Sequence, residues 1–438
     1  MNTHALRVLE FHATLEVVAE RALSPLGRER VLELNPGAQG GRIQEELNRV
    51  QEVAHFLHKH RDWAPPAIPD ARAGLKRLGL EGNVLDASEL LSLGTLLASS
   101  RELRSGLTEE REELPGLTFL LELLHVDRAR EKRIRGIVDE DGSILDSASK
   151  DLSRIRSALR RAHKTIVRTL EKLLSTLPER ILVPDASVTI REGRYVVPVR
   201  REGRGEVGGV VLDESATGAT LFIEPQVGLE LMAQLRELER EERREIHRIL
   251  REETEALAPL LPLLKGSQEA LVVFDSLYAR ARTALAWEGS APQLLPSGAT
   301  ELVVVNGRHP LLLAGGEGTV VPFDLTLDPD ERALVVSGPN TGGKSVFLKA
   351  LGLVVTLAQA GVIPPVGKGT RLPLFANVFA DIGDEQSIAE SLSTFSAHLG
   401  NLKEIVAEAG PESLVLIDEM GTGTDPNEGA ALSRAILE

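Results

Sequence analysis

The chain is 438 residues long, carries a net charge of −15 and is 42% hydrophobic, without a single cysteine. Its length predicts about two to three domains, its acidity excludes attraction of the whole surface to nucleic acid, and the missing thiols exclude disulfides and thiolate metal sites and fit a cytoplasmic protein. No run of about 18 uncharged apolar residues and no signal-peptide core stand out, so neither a transmembrane helix nor a membrane partner is expected.

Residues 1–60 read as helices, with Leu6, Leu9, Leu15, Val18 and Leu23 at roughly helical spacing and turns at Ser24-Pro25 and Asn35-Pro36-Gly37. The three prolines between Ala64 and Asp70 mark a connector. A helix follows over 86–103, with Asp86 or Ser88 near its N-cap. Asp141-Gly142 between apolar flanks signals a tight turn. From Ala148 to Leu177 apolar residues step by three and four, a coiled-coil-like seam, and Pro178 ends it. Short strands rich in Val, Ile and Gly then fill 183–224. A second long helix is expected over 229–257. Helix, β insert and returning helix make an antiparallel pair the economical arrangement.

Charge on those two helices is lopsided. From Leu152 to Lys172 seven basic residues face one acid; from Glu230 to Glu255 nine acids accompany six arginines. Either the basic arm faces nucleic acid or the arms satisfy each other through flanking ion pairs. At the tip, Arg191, Arg194, Arg200, Arg201 and Arg204 sit among glycines and are candidates to meet a phosphate backbone, diluted by Glu192, Glu202 and Glu206. Aromatic residues are only 3%, so base-stacking platforms are scarce.

Residues 266–288 return to helix, and 289–299 read as a linker. From Leu302 the pattern becomes α/β. Leu334 to Val336 predicts a buried strand. Gly338-Pro339-Asn340-Thr341-Gly342-Gly343-Lys344-Ser345 then fits G-x-x-x-x-G-K-[ST], and a helix is expected over 346–357. Glycines let backbone N–H groups wrap phosphates, and the helix N-terminus adds partial positive charge. In this pattern Lys344 reaches the β- and γ-phosphates of ATP and Ser345 holds Mg²⁺. Downstream, the apolar run from Ser413 ends in Asp418-Glu419. Asp418 would bind Mg²⁺ beside Ser345, and Glu419 is the candidate to activate the attacking water. Between them lie Gln386, a candidate water or Mg²⁺ partner, and Ser393-Thr394, either of which could cap the helix carrying Phe395. A chance match in a glycine-bearing turn, or a buried strand that merely ends in acids, is the bland alternative.

GPNTGGKS from Gly338, FADIGDEQSIAESLSTF from Phe379 and IDEMGTGT from Ile417 resemble, in order and spacing, the MutS branch of the ABC-type ATPases. Gly307-Arg308-His309-Pro310 looks like the motif that opens that ATPase domain. The resemblance is closest to the family's type-two bacterial branch, which is linked with branched DNA, suppression of homologous recombination and rescue of stalled or collided ribosomes. It implies a multidomain fold: an all-α core and lever over 1–150, and an antiparallel coiled-coil clamp over 151–265 with a β tip near 181–224. A return to the core over 266–290 and an ABC-type P-loop ATPase domain over 291–438 complete it. It also implies that Ser393, Thr394 and Phe395 are a signature loop completing the ATP site of a partner subunit in a homodimer. Gln386 would fall in the Q-loop, Gly421 to Pro426 would cross the dimer interface, and Pro322 and Phe323 would cover the adenine. The expected function is an ATPase that closes on branched DNA, or one that splits stalled ribosomes through ribosomal RNA. The family's ATPase domain continues past the Asp-Glu strand and is followed by an Smr nuclease domain. A fragment, binding ATP without turning it over, is therefore the third expectation.

Overall fold

The computed structural model describes residues 2–296, 298–316, 320–338, 342–383 and 391–419, with Arg434, giving backbone alone over 391–397. The described chain divides into two compact units, one of residues 71–94 and 127–262, the other of residues 1–70, 95–126 and 263–438.

In the first unit, two long helices, Lys150–Thr176 and Leu229–Leu257, bracket a small sheet. Ser149 is extended, and its hydroxyl accepts the Leu152 N–H, which starts the basic helix. Leu152, Ile155, Leu159, Ile166, Leu170 and Leu174 form its buried stripe, so the three-and-four spacing places one apolar face inward. The helices run in opposite directions: Ser149 Oγ donates to Glu245 at 2.6 Å and Arg156 Nε to Glu242 at 2.6 Å. Four antiparallel strands follow the order β1-β2-β4-β3, with β1 Thr189–Arg191, β2 Arg194–Arg200, β3 Gly209–Glu214 and β4 Thr220–Pro225. Glu192 and Gly193 join β1 to β2, both at positive φ (48° and 71°), a two-residue turn whose twist suits a hairpin. Val197, Val199, Leu221 and Ile223 bury one face of this sheet in the same cluster as Leu170, Leu174, Met232 and Leu235. Val138 bridges Ile144 around Gly142 at φ 83°, so the expected tight turn forms.

The second unit grows around the helix Lys344–Gln359. Leu6, Leu9, Phe11, Leu15 and Val18 from the N-terminal helices pack in one cluster with Val354 and Leu357 of that helix, with Val378 and Ala380 of β9 (Asn377–Asp381), and with Leu416 of β10 (Ser413–Ile417). β9 and β10 pair in parallel, joined by the helix Ser391–Glu408. A separate sheet has the order β5-β8-β6-β7, with β5 Gln293–Leu294, β6 Leu302–Gly307, β7 Phe323–Leu327 and β8 Arg371–Leu372. Of the expected linker over 289–299, Gln293–Leu294 lie in this sheet, with Ala291 N–H on Gln51 and Leu294 N–H on Gln44.

One expectation is corrected. Residues 331–337 form no strand, and Leu334, Val335 and Val336 are 48%, 81% and 41% exposed. Apolar β-branched composition makes a strand only where an edge pairs with it. The helical stretch Gln226–Ala286 does hold an 18-residue window of mean hydropathy 1.2, long and apolar enough to cross a membrane by length and composition. Its part Leu261–Ala286 is a core helix in which Phe274, Leu277 and Ala281 are buried. Asp275 and Arg280 are buried there too, Arg280 donating to Glu46 at 2.7 Å and to the Gly361 carbonyl at 3.0 Å.

Candidate functional site

The helix Lys344–Gln359 starts at Gly343, whose φ of 79° is left-handed backbone that glycine adopts at little cost. The first N–H groups of a helix carry partial positive charge. Lys344 Nζ folds back onto the Gly338 carbonyl at 2.7 Å. One residue on, the Ser345 hydroxyl donates to the Asp418 carboxylate. Asp418 follows the last residue of β10, and its own N–H donates to the Asp381 carbonyl at 2.9 Å. Residues far apart in the chain thus converge on one point: a helix first turn brings a hydroxyl, and a parallel strand end brings a carboxylate. Both are hard oxygen donors of the kind Mg²⁺ takes, so the set fits that ion. Glu419, next along, holds φ at 50°, a conformation uncommon for a residue with a Cβ and often found where function imposes it.

Sequence reasoning missed what stands behind Asp418. Asp381 is buried, and it meets His398 and Asn401 from the helix Ser391–Glu408. Asp381 lies within the stretch quoted from Phe379, but that stretch gave it no role, and nothing flags a His in a helix. Only the packing of that helix on β9 brings them together.

Pro339, Asn340, Thr341, Gln386 and the segment 421–426 lie outside the described residues. Ser393, Thr394 and Phe395 fall in a helix already under way at Ser391, which moves the expected N-cap upstream of them. The Phe323 ring packs edge-on against Phe347 of the P-loop helix at 4.9 Å, while Pro322 is exposed. Gly307 leaves no room for a Cβ, which would meet that ring at 2.7 Å. Arg308 donates to the Trp287 carbonyl at 2.5 Å and His309 is 6% exposed. Burial holds the His309 imidazole below the usual histidine range, with Glu10 opposing and Lys349 assisting.

In the other unit the tip arginines are largely engaged. Arg194 pairs with the fully buried Glu224 at 2.8 Å, Arg201 with Glu214 at 2.6 Å, and Arg191 lies over the Phe222 ring and 3.6 Å from Asp213. Arg200 donates to the Leu182 carbonyl at 3.0 Å, and Arg204 is exposed. On the basic helix the charges separate into two sets. Arg154, Arg156 and Arg160 reach acids. Arg161, Lys164, Arg168 and Lys172 are all exposed, and no ion pair joins them to an acid among the described residues. Their spacing of three, four and four places them on one solvent face.

A family model for MutS domain V, an ABC-type ATPase domain, matches residues 334–438. Over its whole length the chain is 47% identical to a protein of Gemmatimonas aurantiaca and 42% identical to proteins of Pelotomaculum thermopropionicum and Geobacillus thermodenitrificans, each named endonuclease MutS2. It covers 54%, 55% and 56% of those proteins, so the chain spans about half the length of the curated relatives it matches. Whole-chain identity at that level, joined to a domain V match that takes in Lys344, Ser345, Asp418 and Glu419, places the chain in the MutS family.

Proposed function

We propose that the chain is the ATP-binding and clamp-bearing part of a MutS-type DNA-binding ATPase. The observation that carries this reading is the meeting of the Ser345 hydroxyl with the Asp418 carboxylate beside a lysine that begins a helix. Lys344 and the first N–H groups of the helix would take the β- and γ-phosphates of ATP. Ser345 and Asp418 would hold Mg²⁺, which neutralises charge developing on the transferred phosphoryl group. Glu419 would accept a proton from the attacking water. Ser393, Thr394 and Phe395 would face the nucleotide of a second copy, making the working unit a homodimer gated by ATP. Such a protein would work in the cytoplasm on branched or recombining DNA and restrain homologous recombination.

The clamp reading rests on the unit with two long helices and a β tip. There, the stripe Arg161, Lys164, Arg168 and Lys172 is better placed than the engaged tip arginines to meet phosphates. Double charge reversal at Arg161 and Arg168 should weaken affinity for branched DNA and flatten its salt dependence by about two phosphate contacts. An unchanged salt slope would reject the stripe.

The nucleotide reading is tested with a fluorescent ATP analogue and Mg²⁺. Lys344→Ala should abolish binding. Glu419→Gln should retain binding and lose hydrolysis. A Lys344→Ala protein that binds as tightly as the wild type would refute the site.

A further inference from the structure

We propose that Asp381 is a positioning residue for ATP hydrolysis, tying the helix that carries Ser393, Thr394 and Phe395 to the strand end that presents Asp418 and Glu419. The inference rests on the ATPase reading above and adds a residue to it. Asp381 closes β9 and is 4% exposed. With its main chain it takes the Asp418 N–H at 2.9 Å. With its side chain it takes the helix: both carboxylate oxygens lie 3.0 Å from His398 Nδ1, and Oδ1 lies 3.3 Å from Asn401 Nδ2. An ionised carboxylate only accepts, so His398 Nδ1 carries the hydrogen in this contact. His398 and Asn401 are three residues apart and therefore share one face of the helix Ser391–Glu408.

Further contacts stiffen the clasp. A Cβ at Gly383 would come within 3.2 Å of the His398 ring, so the ring lies against the backbone where the chain leaves β9. Asn401 Nδ2 also sits 3.0 Å from His4 Nε2, and Asn2 donates to Glu404 at 2.8 Å, pinning the helix to the N-terminal segment. A buried carboxylate with donors on a single helix resists displacement, because moving that helix strips it of partners. Thr394 lies about one turn before His398, so the signature segment inherits this placement. The clasp thus sets the distance between a subunit's own acid, Glu419, and the segment it lends to its neighbour. Among the described residues the Asp381 side chain makes no contact with the phosphate loop. Loss of the clasp should reach turnover and spare nucleotide affinity, since small misplacements near chemistry cost up to about a hundredfold in rate.

The test compares steady-state ATP hydrolysis, binding of a fluorescent ATP analogue and thermal melting for the protein at its full natural length. The variants are Asp381→Asn, His398→Ala, His398→Gln and, as control, Lys344→Ala. The expected result is a kcat at least about tenfold lower in Asp381→Asn and His398→Ala, with KM and analogue Kd within about twofold of wild type. His398→Gln keeps an N–H donor and should recover part of that loss. Unchanged kcat in both Asp381→Asn and His398→Ala overturns the proposal while leaving the ATPase reading intact. So does a parallel fall of kcat, affinity and melting temperature with no recovery in His398→Gln, which marks a purely structural contact. Wild-type affinity in Lys344→Ala overturns the ATPase reading and this proposal with it.

Discussion

The Asp418 N–H donates to the Asp381 carbonyl at 2.9 Å, one step beyond the paired residues Ile417 and Asp381 of the parallel ladder. That extra rung fixes the Asp418 main chain and lets its carboxylate meet Ser345. Removing the hydroxyl takes away one oxygen donor and leaves the rung in place. Ser345→Ala should therefore weaken Mg²⁺-dependent nucleotide binding by about tenfold, roughly 1.4 kcal/mol, and leave Mg²⁺-free binding unchanged. Titration of the ATP analogue with and without the metal checks this.

Gly352 lies on the P-loop helix where three elements close together. A Cβ there would sit 2.5 Å from Leu9 and 2.8 Å from Leu416, both buried. Alanine favours helix over glycine by about 1 kcal/mol, but overpacking a tight core costs about 1–3 kcal/mol. Packing should win, so Gly352→Ala should lower stability in chemical denaturation of the chain. A gain in stability would show that Leu9 and Leu416 repack freely.

Arg194 and Arg204 stood together in the sequence as tip cations. Arg194 is paired with Glu224, which is fully buried, whereas Arg204 is exposed. Arg194→Ala leaves a buried carboxylate without its cation and should cost about 3 kcal/mol. Arg204→Ala should cost under about 0.5 kcal/mol. Urea unfolding of the two variants distinguishes a structural arginine from one available for phosphate.

What the sequence made legible was local. The 3.6-residue stripes of the two long helices and the helix that follows Gly343 are written in neighbouring residues, and Leu152 to Leu174 and Lys344–Gln359 fall where their types require. Leu334 to Val336 failed for the complementary reason. A strand is decided by the edge it pairs with, and nothing in three apolar residues names that edge. The meeting of Asp381 with His398 and Asn401 was invisible because it depends on a helix packing on β9, and no spacing rule links a strand end to two polar residues on a following helix. The pairing of Arg194 was not legible because its partner Glu224 lies across strands rather than beside it.

The junction of the two long helices should make the stability of that unit sensitive to acid. Glu245 accepts from Arg248 at 2.7 Å and from Ser149 Oγ at 2.6 Å, and Ser149 itself caps the basic helix. The Arg248 hydrogen bonds, against burial and aided by Ser149, hold the Glu245 carboxyl down at about 2, below its ordinary value of 4.5. A depressed folded value means the ionised form is favoured in the fold. Its stabilisation is fully present above about pH 4.5 and is lost as pH falls toward 2. Glu245→Gln removes the charge at every pH and should cost about 1–2 kcal/mol at neutrality. The gap between wild type and Glu245→Gln, followed by denaturation from pH 7 to pH 3, should be constant to about pH 5 and narrow below it. A gap that stays constant to pH 3 would mean that Ser149 and Arg248 hold the glutamine as well as the glutamate, and that the charge at this junction adds nothing.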